Sequence, residues 1–118
     1  MDLERFRNFC LSLPGASEGF PFGEDTLVFT VCGKMFALTD INFFESVNLK
    51  ADPEDAIDLR ERYSAVKPGF HMNKKHWNTV ELDGSISEKL LFEWTKKSYD
   101  LVVAGLPKKQ RQSLVTDK

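Results

Sequence analysis

The spacing of apolar residues along the chain changes near residue 26, and this change separates a predicted helix from predicted strands. Before it, apolar side chains recur every three or four positions, which predicts an amphipathic helix that Asp2 caps and Pro14 ends. From residue 26 to residue 50 the period is two, in the runs 26–31, 35–40 and 45–50. With Cys32-Gly33-Lys34 as a tight connection, these runs predict a three-stranded antiparallel meander.

The second half of the chain predicts two more helices and one more strand. Asp52 followed by Pro53 is typical of an N-cap and a first helical residue. Residues 76–82 predict a fourth strand, and Ser85 with Glu88 predicts the capping box of a long third helix that carries Trp94 on its apolar stripe. After this helix, residues 108–118 are expected to form a loose tail.

The predicted order is therefore α-β-β-β-α-β-α. We interpret residues 1–118 as a single domain of the α+β class, because a chain of 118 residues has the usual size of one domain. The economical arrangement is a two-layer sandwich in which helices cover one face of a mostly antiparallel sheet. The other face is then expected to meet solvent.

Strand alternation assigns side chains to these two faces. The residues expected to point toward the helices are Leu27, Phe29, Phe36, Leu38, Val47, Leu49, Val80 and Leu82. Those expected on the open face are Thr26, Thr30, Thr39, Ser46, Asn48, Lys50, Trp77, Thr79 and Glu81. Trp77 would then offer an exposed ring for stacking, unless a bulge before Asn78 shifts the register and buries it.

Composition indicates a globular cytoplasmic protein. Hydrophobic residues make up 42% and charged residues 29%, no apolar run reaches the ~18 residues that span a bilayer, and the N-terminus is charged where a signal peptide is apolar. Cys10 and Cys32 have no CxxC spacing and are expected to be buried free thiols. Membrane, metal and cofactor are not expected, and a monomer is favoured.

Charge is distributed unevenly along the chain. Residues 1–61 contain twelve acids and five bases, whereas residues 62–118 contain six acids and eleven bases. Between Glu61 and Glu81 there are four basic residues and no acidic one. Such asymmetry can mark a face that binds anions, but on charge alone chance and ordinary solvation are the favoured explanation.

The segment 69-GFHMNKKHWNTVEL-82 concentrates both histidines, a lysine pair and one tryptophan. Metal binding is not expected, because HxxxxH is not a zinc spacing and the lysine pair would repel a cation. The chain also lacks GxSxG, GxGxxG and P-loop motifs, so neither catalytic residues nor a nucleotide cofactor are predicted.

Anion binding is the chemistry that this segment favours. Lysines bind phosphates as point charges, amides add hydrogen bonds, and an aromatic ring can stack on a base. The candidate nucleic-acid-binding residues are Asn73, Lys74, Lys75, His76, Trp77 and Asn78, with Lys34, Lys108 and Lys109 as outlying contacts. The simpler alternative is a solvated hairpin tip.

The chain resembles the MmcQ/YjbR family over about Leu3 to Arg111. The resemblance rests on LSLPGASEGFPFGEDTLVFTVCGKMFAL, on PGFHMNKKHWNTVELDG and on SYDLVVAGLPKK. It implies a CyaY-like fold and DNA binding through a "double wing" of β-hairpins, with Lys74 to Asn78 as the contact positions and no catalytic residues. Frataxin-type iron binding is not expected, because the first helix carries only Asp2 and Glu4 as acids.

These observations together predict a non-enzymatic DNA-binding protein. Binding is expected to be weak and strongly salt-dependent, because few cations are available and the net charge is −2. The alternative is a protein- or small-molecule-binding module that uses the open face of the sheet.

Overall fold

A computed structural model describes residues 1–116 and contains four helices and six strands. The helices are α1 (Leu3–Ser12), α2 (Pro53–Arg62), α3 (Glu88–Ala104) and α4 (Lys108–Thr116). The strands are β1 (Ala16–Gly19), β2 (Thr26–Val31), β3 (Lys34–Asp40), β4 (Ser46–Lys50), β5 (Val66–Pro68) and β6 (Trp77–Glu81).

The strands form one sheet in the order β1-β2-β3-β4-β6-β5, and every neighbouring pair is antiparallel. All four helices contribute to the main apolar core on one face of this sheet, as Phe6, Ala56, Leu91 and Leu114 illustrate by their burial. The predicted α+β two-layer sandwich is confirmed. Two short strands, β1 and β5, add to the predicted sheet at its two edges.

Helix starts follow the local chemistry that the sequence contains. The Asp2 carboxylate accepts a hydrogen bond from the Arg5 amide at 2.8 Å, and Asp52 caps α2, as predicted. For α3 the predicted cap was wrong: Ser87, not Ser85, accepts from the Leu90 amide. Ser85 instead bonds to Asp83 in the preceding turn.

The main core is rich in aromatic rings. Phe6 and Phe29 meet edge-on with ring centroids 5.8 Å apart, and Phe36 meets Tyr99 in the same way at 5.4 Å. Such edge contacts add to the burial of apolar area. Trp94 belongs to this core, as its position on the helical stripe predicted.

A β-bulge in β3 changes the face assignment of this strand. Phe29 pairs with Ala37, but the next residue, Thr30, pairs with Met35, so Phe36 is the extra residue. Phe36 and Ala37 both enter the main core. The prediction for Leu38 and Thr39 was therefore wrong: Leu38 faces away from the helices, and Thr39 shares the face of its partners Leu27 and Val47.

The opposite face of the sheet carries a second apolar cluster. Val28, Leu38 and Trp77 are buried there, with Met35 and Met72 packed against them. Trp77 does face away from the helices, as predicted, because it pairs with Lys50 in the same phase as Thr79 with Asn48. The expectation that its ring is exposed was wrong, since Trp77 is only 8% exposed.

The hydroxyl of Ser98 joins α3 to the sheet beside the bulge. Its Oγ donates to the Phe36 carbonyl at 2.6 Å and accepts from the Lys50 amide at 2.9 Å. The side chain thus takes the place of the next rung between β3 and β4, beyond the Ala37–Leu49 pair. Both backbone groups would otherwise lack a partner in a buried position.

The C-terminal segment is a helix, so the expected loose tail was wrong up to residue 116. Leu114 of α4 is buried against the core, and its Cδ2 lies beside Gly15, where a Cβ atom would displace it. The position favours glycine because its φ is +71°, which residues with a Cβ atom rarely adopt. Residues 117 and 118 of the expected tail lie outside the described part of the chain.

Membrane insertion through a helix has no support in the described part of the chain. None of the four helices within residues 1–116 combines the length and the apolar character that crossing a bilayer requires.

We predict that Ser98→Ala destabilises the fold by about 1–3 kcal/mol, because it leaves two buried backbone groups without a hydrogen bond. Urea unfolding followed by far-ultraviolet circular dichroism measures the change. Ser12→Ala is the matched control, since Ser12 is exposed on α1. Equal stability of the two variants would show that the Ser98 bridge contributes nothing.

Candidate nucleic-acid interface

The segment 69–76 connects β5 to β6 and closes on itself through backbone hydrogen bonds. The Gly69 amide donates to the Trp77 carbonyl at 2.9 Å, and the Asn73 carbonyl accepts from the amides of His76 and Trp77. The Asn73 side chain accepts from the Lys75 amide at 2.9 Å. Asn73 therefore shapes the turn. This role engages its side-chain oxygen, one of the groups that we assigned to nucleic acid.

Two more of the predicted contact residues make side-chain hydrogen bonds within the protein. Lys74 donates its ammonium group to the Gly69 carbonyl at 3.0 Å. Asn78 is 2% exposed and points toward α2, where its amide donates to the Ala56 carbonyl and its oxygen accepts from Arg60. Asn78, like the buried Trp77, has no surface on which a nucleic acid could rest.

Arg60 fixes this arrangement from α2. Its Nε donates to Asn78 Oδ1 at 2.7 Å, and its guanidinium also donates to the Lys74 carbonyl. A single charged fork thus connects the helix, the strand β6 and the turn. Among the nine candidates, only Trp77 and Asn78 are buried, and His76 is half-buried. Lys34, Lys75, Lys108 and Lys109 are exposed, as are Asn73 and Lys74, whose side chains also make hydrogen bonds within the turn.

The sheet topology places the exposed lysines of the two hairpins at one end of the molecule. Lys34 begins β3, and Cys32 and Gly33 before it form a turn with positive φ at both positions. Trp77 at the start of β6 pairs with Lys50 at the end of β4, so the 69–76 turn leaves the same end of the sheet. Three strand spacings separate the two hairpins, or about 14 Å.

Helix α4 lies close to this end as well. Its Leu114 packs where Gly15 meets Val31, and Val31 is the last residue of β2 beside the Cys32–Gly33 turn. Lys108 and Lys109 are exposed in the first turn of this helix. The topology therefore collects basic residues from three separate elements at one end of the fold.

The open face of the sheet has the opposite electrostatic character. A groove of about 710 Å³ crosses it, bordered by the exposed rings of Phe22 and Phe70. Three carboxylates line this groove, from Asp40, Glu45 and Glu81. The lining lysine, Lys67, lies 4.0 Å from Glu81. These carboxylates make the open face unfavourable for phosphate groups.

The chain matches the YjbR family model over residues 11–101. The chain belongs to the YjbR family. It is 38% identical to YbdF of Escherichia coli O157:H7 over 110 residues, which are 92% of this chain and 90% of the relative. It is 33% identical to YjbR of Escherichia coli strain K12 over 116 residues, which cover 98% of both proteins.

Solved structures of YjbR-like proteins agree with the fold. A crystal structure of the Deinococcus radiodurans protein DR2400, which carries the domain DUF419, superposes with a TM-score of 0.87 at 43% identity, covering 95% of this chain and 86% of that one. A crystal structure of a Pseudomonas syringae protein gives 0.71 at 27% identity, covering 86% and 98%.

Sequence reasoning missed three residues that shape the site. Arg60 lies eighteen residues before Asn78, and no local pattern joins them. Phe22 and Phe70 are 64% and 67% exposed, which is unusual for phenylalanine. Their neighbours Pro21, Gly23 and Gly69 are the one available signal, since such residues favour loops over buried strands.

Within residues 1–116 of this YjbR protein, neither the Cys10 thiol nor a cluster of metal ligands is arranged for chemistry. Burial raises the pKa of the Cys10 thiol well above its usual range, which disfavours the thiolate. Within residues 1–116, histidine, cysteine and carboxylate side chains do not gather in threes around a point where a metal ion could bind.

We predict that iodoacetamide at about pH 8 modifies Cys32 of the folded protein and spares Cys10, because burial suppresses both access and ionisation at Cys10. Peptide mass spectrometry after a time course measures both sites, and Cys10 should react only after denaturation. The variant Cys32→Ser, which leaves one thiol, is the control. Equal rates at the two thiols in folded protein would contradict the burial of Cys10.

Proposed function

We propose that this YjbR protein is a non-enzymatic DNA-binding module that contacts phosphates through its two hairpin tips. The observation that supports this proposal is the shared position of Lys34 and Lys75 at one end of the sheet, on two hairpins that are separated by the single strand β4. The resemblance to a double-wing arrangement supports the same surface. In this proposal Trp77 and Asn78 hold the second hairpin in place and do not touch DNA.

The spacing of the hairpins suits a DNA backbone. The estimated separation of about 14 Å is comparable with the ~12 Å width of the major groove of B-DNA. Each tip would then reach one of the two phosphate strands that border the groove. Lysine contacts of this kind carry no sequence information, so we expect binding that is independent of sequence.

The charge of the protein limits the affinity. The whole chain has a net charge of −2, and the carboxylates of the open face oppose DNA. With Lys34, Lys75, Lys108 and Lys109 as the available cations, few counterions are released on binding. Binding should therefore be measurable at low salt and largely lost near physiological ionic strength.

We predict that the double variant Lys34→Ala/Lys75→Ala binds a fluorescein-labelled DNA duplex about tenfold or more weakly than the wild type at low salt. The slope of log K against log salt should fall by about 0.9 for each lost phosphate contact. Fluorescence anisotropy across a salt series measures both quantities.

The matched control is Lys89→Ala/Lys96→Ala, which removes the same charge from α3. Lys89 and Lys96 are exposed, and Lys96 pairs with Asp100 on the surface. This control should keep most of the wild-type affinity and slope. If the two double variants lose affinity equally, net charge alone governs binding and the hairpin tips have no special role.

A second function, the binding of an uncharged or cationic ligand on the open face, is favoured by the groove between Phe22 and Phe70. Its lining includes the hydrogen-bonding side chains of Asn48 and Thr79. Exposed rings on both sides of a floor that is partly polar and partly apolar are suited to an aromatic ligand or a peptide. The same anisotropy experiment separates the two functions, because a protein that uses only the groove would not bind the duplex through Lys34 and Lys75.

A further inference from the structure

A crevice of about 480 Å³ lies between α2 and α3 on the helical side of the sheet. It exists because the two helices pack on different strands: α2 on β5 and β6, and α3 on β3 and β4. Leu49 and Val80 belong to the sheet strands beneath it, and Leu59 and Leu101 are apolar residues of the two helices. Its volume is within the range of small-molecule sites.

Two aromatic residues with unused polar atoms close one end of the crevice. Tyr63 and Trp94 meet edge-on with centroids 5.0 Å apart, and both line the cavity. Among the described residues, no buried polar side-chain atom lacks a partner, so the Trp94 indole N–H and the Tyr63 hydroxyl, which bond to no protein atom, reach solvent at the crevice. The two rings give this end of the crevice an aromatic wall that suits an apolar side group.

The other end of the crevice carries charges of both signs. Asp52 and Asp55 begin α2, whereas Lys50 ends β4 and Lys97 comes from α3. The remaining charged residues of the lining are paired along their own helices, Asp58 with Arg62 and Asp100 with Lys96. Asp52 caps α2, and Lys50 has the phase of Trp77, which faces away from the helices. One carboxylate, Asp55, and one ammonium group, Lys97, are thus left to face a ligand from the two helices.

We propose that this crevice binds a small zwitterion with a large apolar side group, of which an aromatic amino acid is the simplest example. The apolar group enters between Leu59 and Leu101 toward the Tyr63–Trp94 pair. Its ammonium group is held by Asp55 and its carboxylate by Lys97. Charge-assisted contacts of opposite sign at both ends of the head group distinguish a zwitterion from an amine or an acid.

The test is an NMR titration of the full ¹⁵N-labelled chain, in which the indole N–H signal of Trp94 reports on the crevice. Trp77→Phe assigns the two indole signals. The reference probe is L-phenylalanine. Phenethylamine lacks its carboxylate, 3-phenylpropionate lacks its ammonium group, and L-alanine lacks its ring. L-Phenylalanine should shift the Trp94 signal with a Kd that is millimolar or tighter, and each of the other probes should bind about tenfold or more weakly.

Surface variants test the assigned head-group contacts. Asp55→Asn and Lys97→Gln should each weaken L-phenylalanine binding about tenfold, whereas Glu54→Gln and Lys89→Gln on the same two helices should not change it. All four side chains are exposed, so the variants should fold.

Three results would overturn the proposal. One is a Trp94 signal that L-phenylalanine does not move. A second is binding of the amine or the acid as tight as that of the zwitterion. A third is the same loss in the contact variants and in their controls.

Discussion

The extra residue that β3 carries at Phe36 determines what both faces of the sheet present. Because of this bulge, Phe36 and Ala37 both enter the main core, and Leu38 turns to the other face. There it joins Val28 to form an apolar floor on which Trp77 and Met72 pack. At the same point, the Phe36 carbonyl accepts a hydrogen bond from the Ser98 hydroxyl, which connects α3 to the sheet. The apolar surface beneath the 69–76 turn therefore depends in part on the bulge, through Leu38.

The basic segment 69–82 therefore contains residues of two kinds, which its composition does not distinguish: those that hold the turn and those that it exposes. Met72, Asn73, Lys74 and Asn78 hold the turn, through an apolar contact and through hydrogen bonds to backbone and to Arg60. Lys75 is carried at the outside of the turn. A charged residue in such a segment can thus be needed for the shape of the turn and not for contact with a ligand. Lys74 and Lys75 are adjacent in sequence and identical in chemistry. Their roles differ because the ammonium group of Lys74 donates a hydrogen bond to the Gly69 carbonyl.

Local chemistry made much of this fold predictable. The caps Asp2 and Asp52 and the apolar stripe of α3 predicted three helices. The period of two between residues 26 and 50 predicted three strands, and residues 76–82 predicted the fourth. The strands β1 and β5 were missed because they have four and three residues and contain glycine or proline. Helix α4 was missed because one buried residue, Leu114, anchors a polar segment. A bulge has no local signature, so the alternation rule failed at Leu38.

The candidate site was predictable in charge but not in geometry. Lys34 and Lys75 were identified from composition, yet their common end of the sheet follows only from the strand order. Trp77 was placed on the correct face, but its burial depends on Leu38 and Met72, which come from distant parts of the chain. The partners of Asn78 on α2 could not be inferred, because the contact spans two elements with no shared motif.

The most direct test of the account is a map of amide chemical-shift changes in the ¹⁵N-labelled protein when a short DNA duplex is added at low salt. The account predicts the largest changes at Gly33, Lys34, Lys75 and His76, and in the first turn of α4. The side-chain amide of Asn78 and the indole of Trp77 should remain unchanged. Changes centred on the groove between Phe22 and Phe70, or no changes at the two hairpin tips, would contradict it.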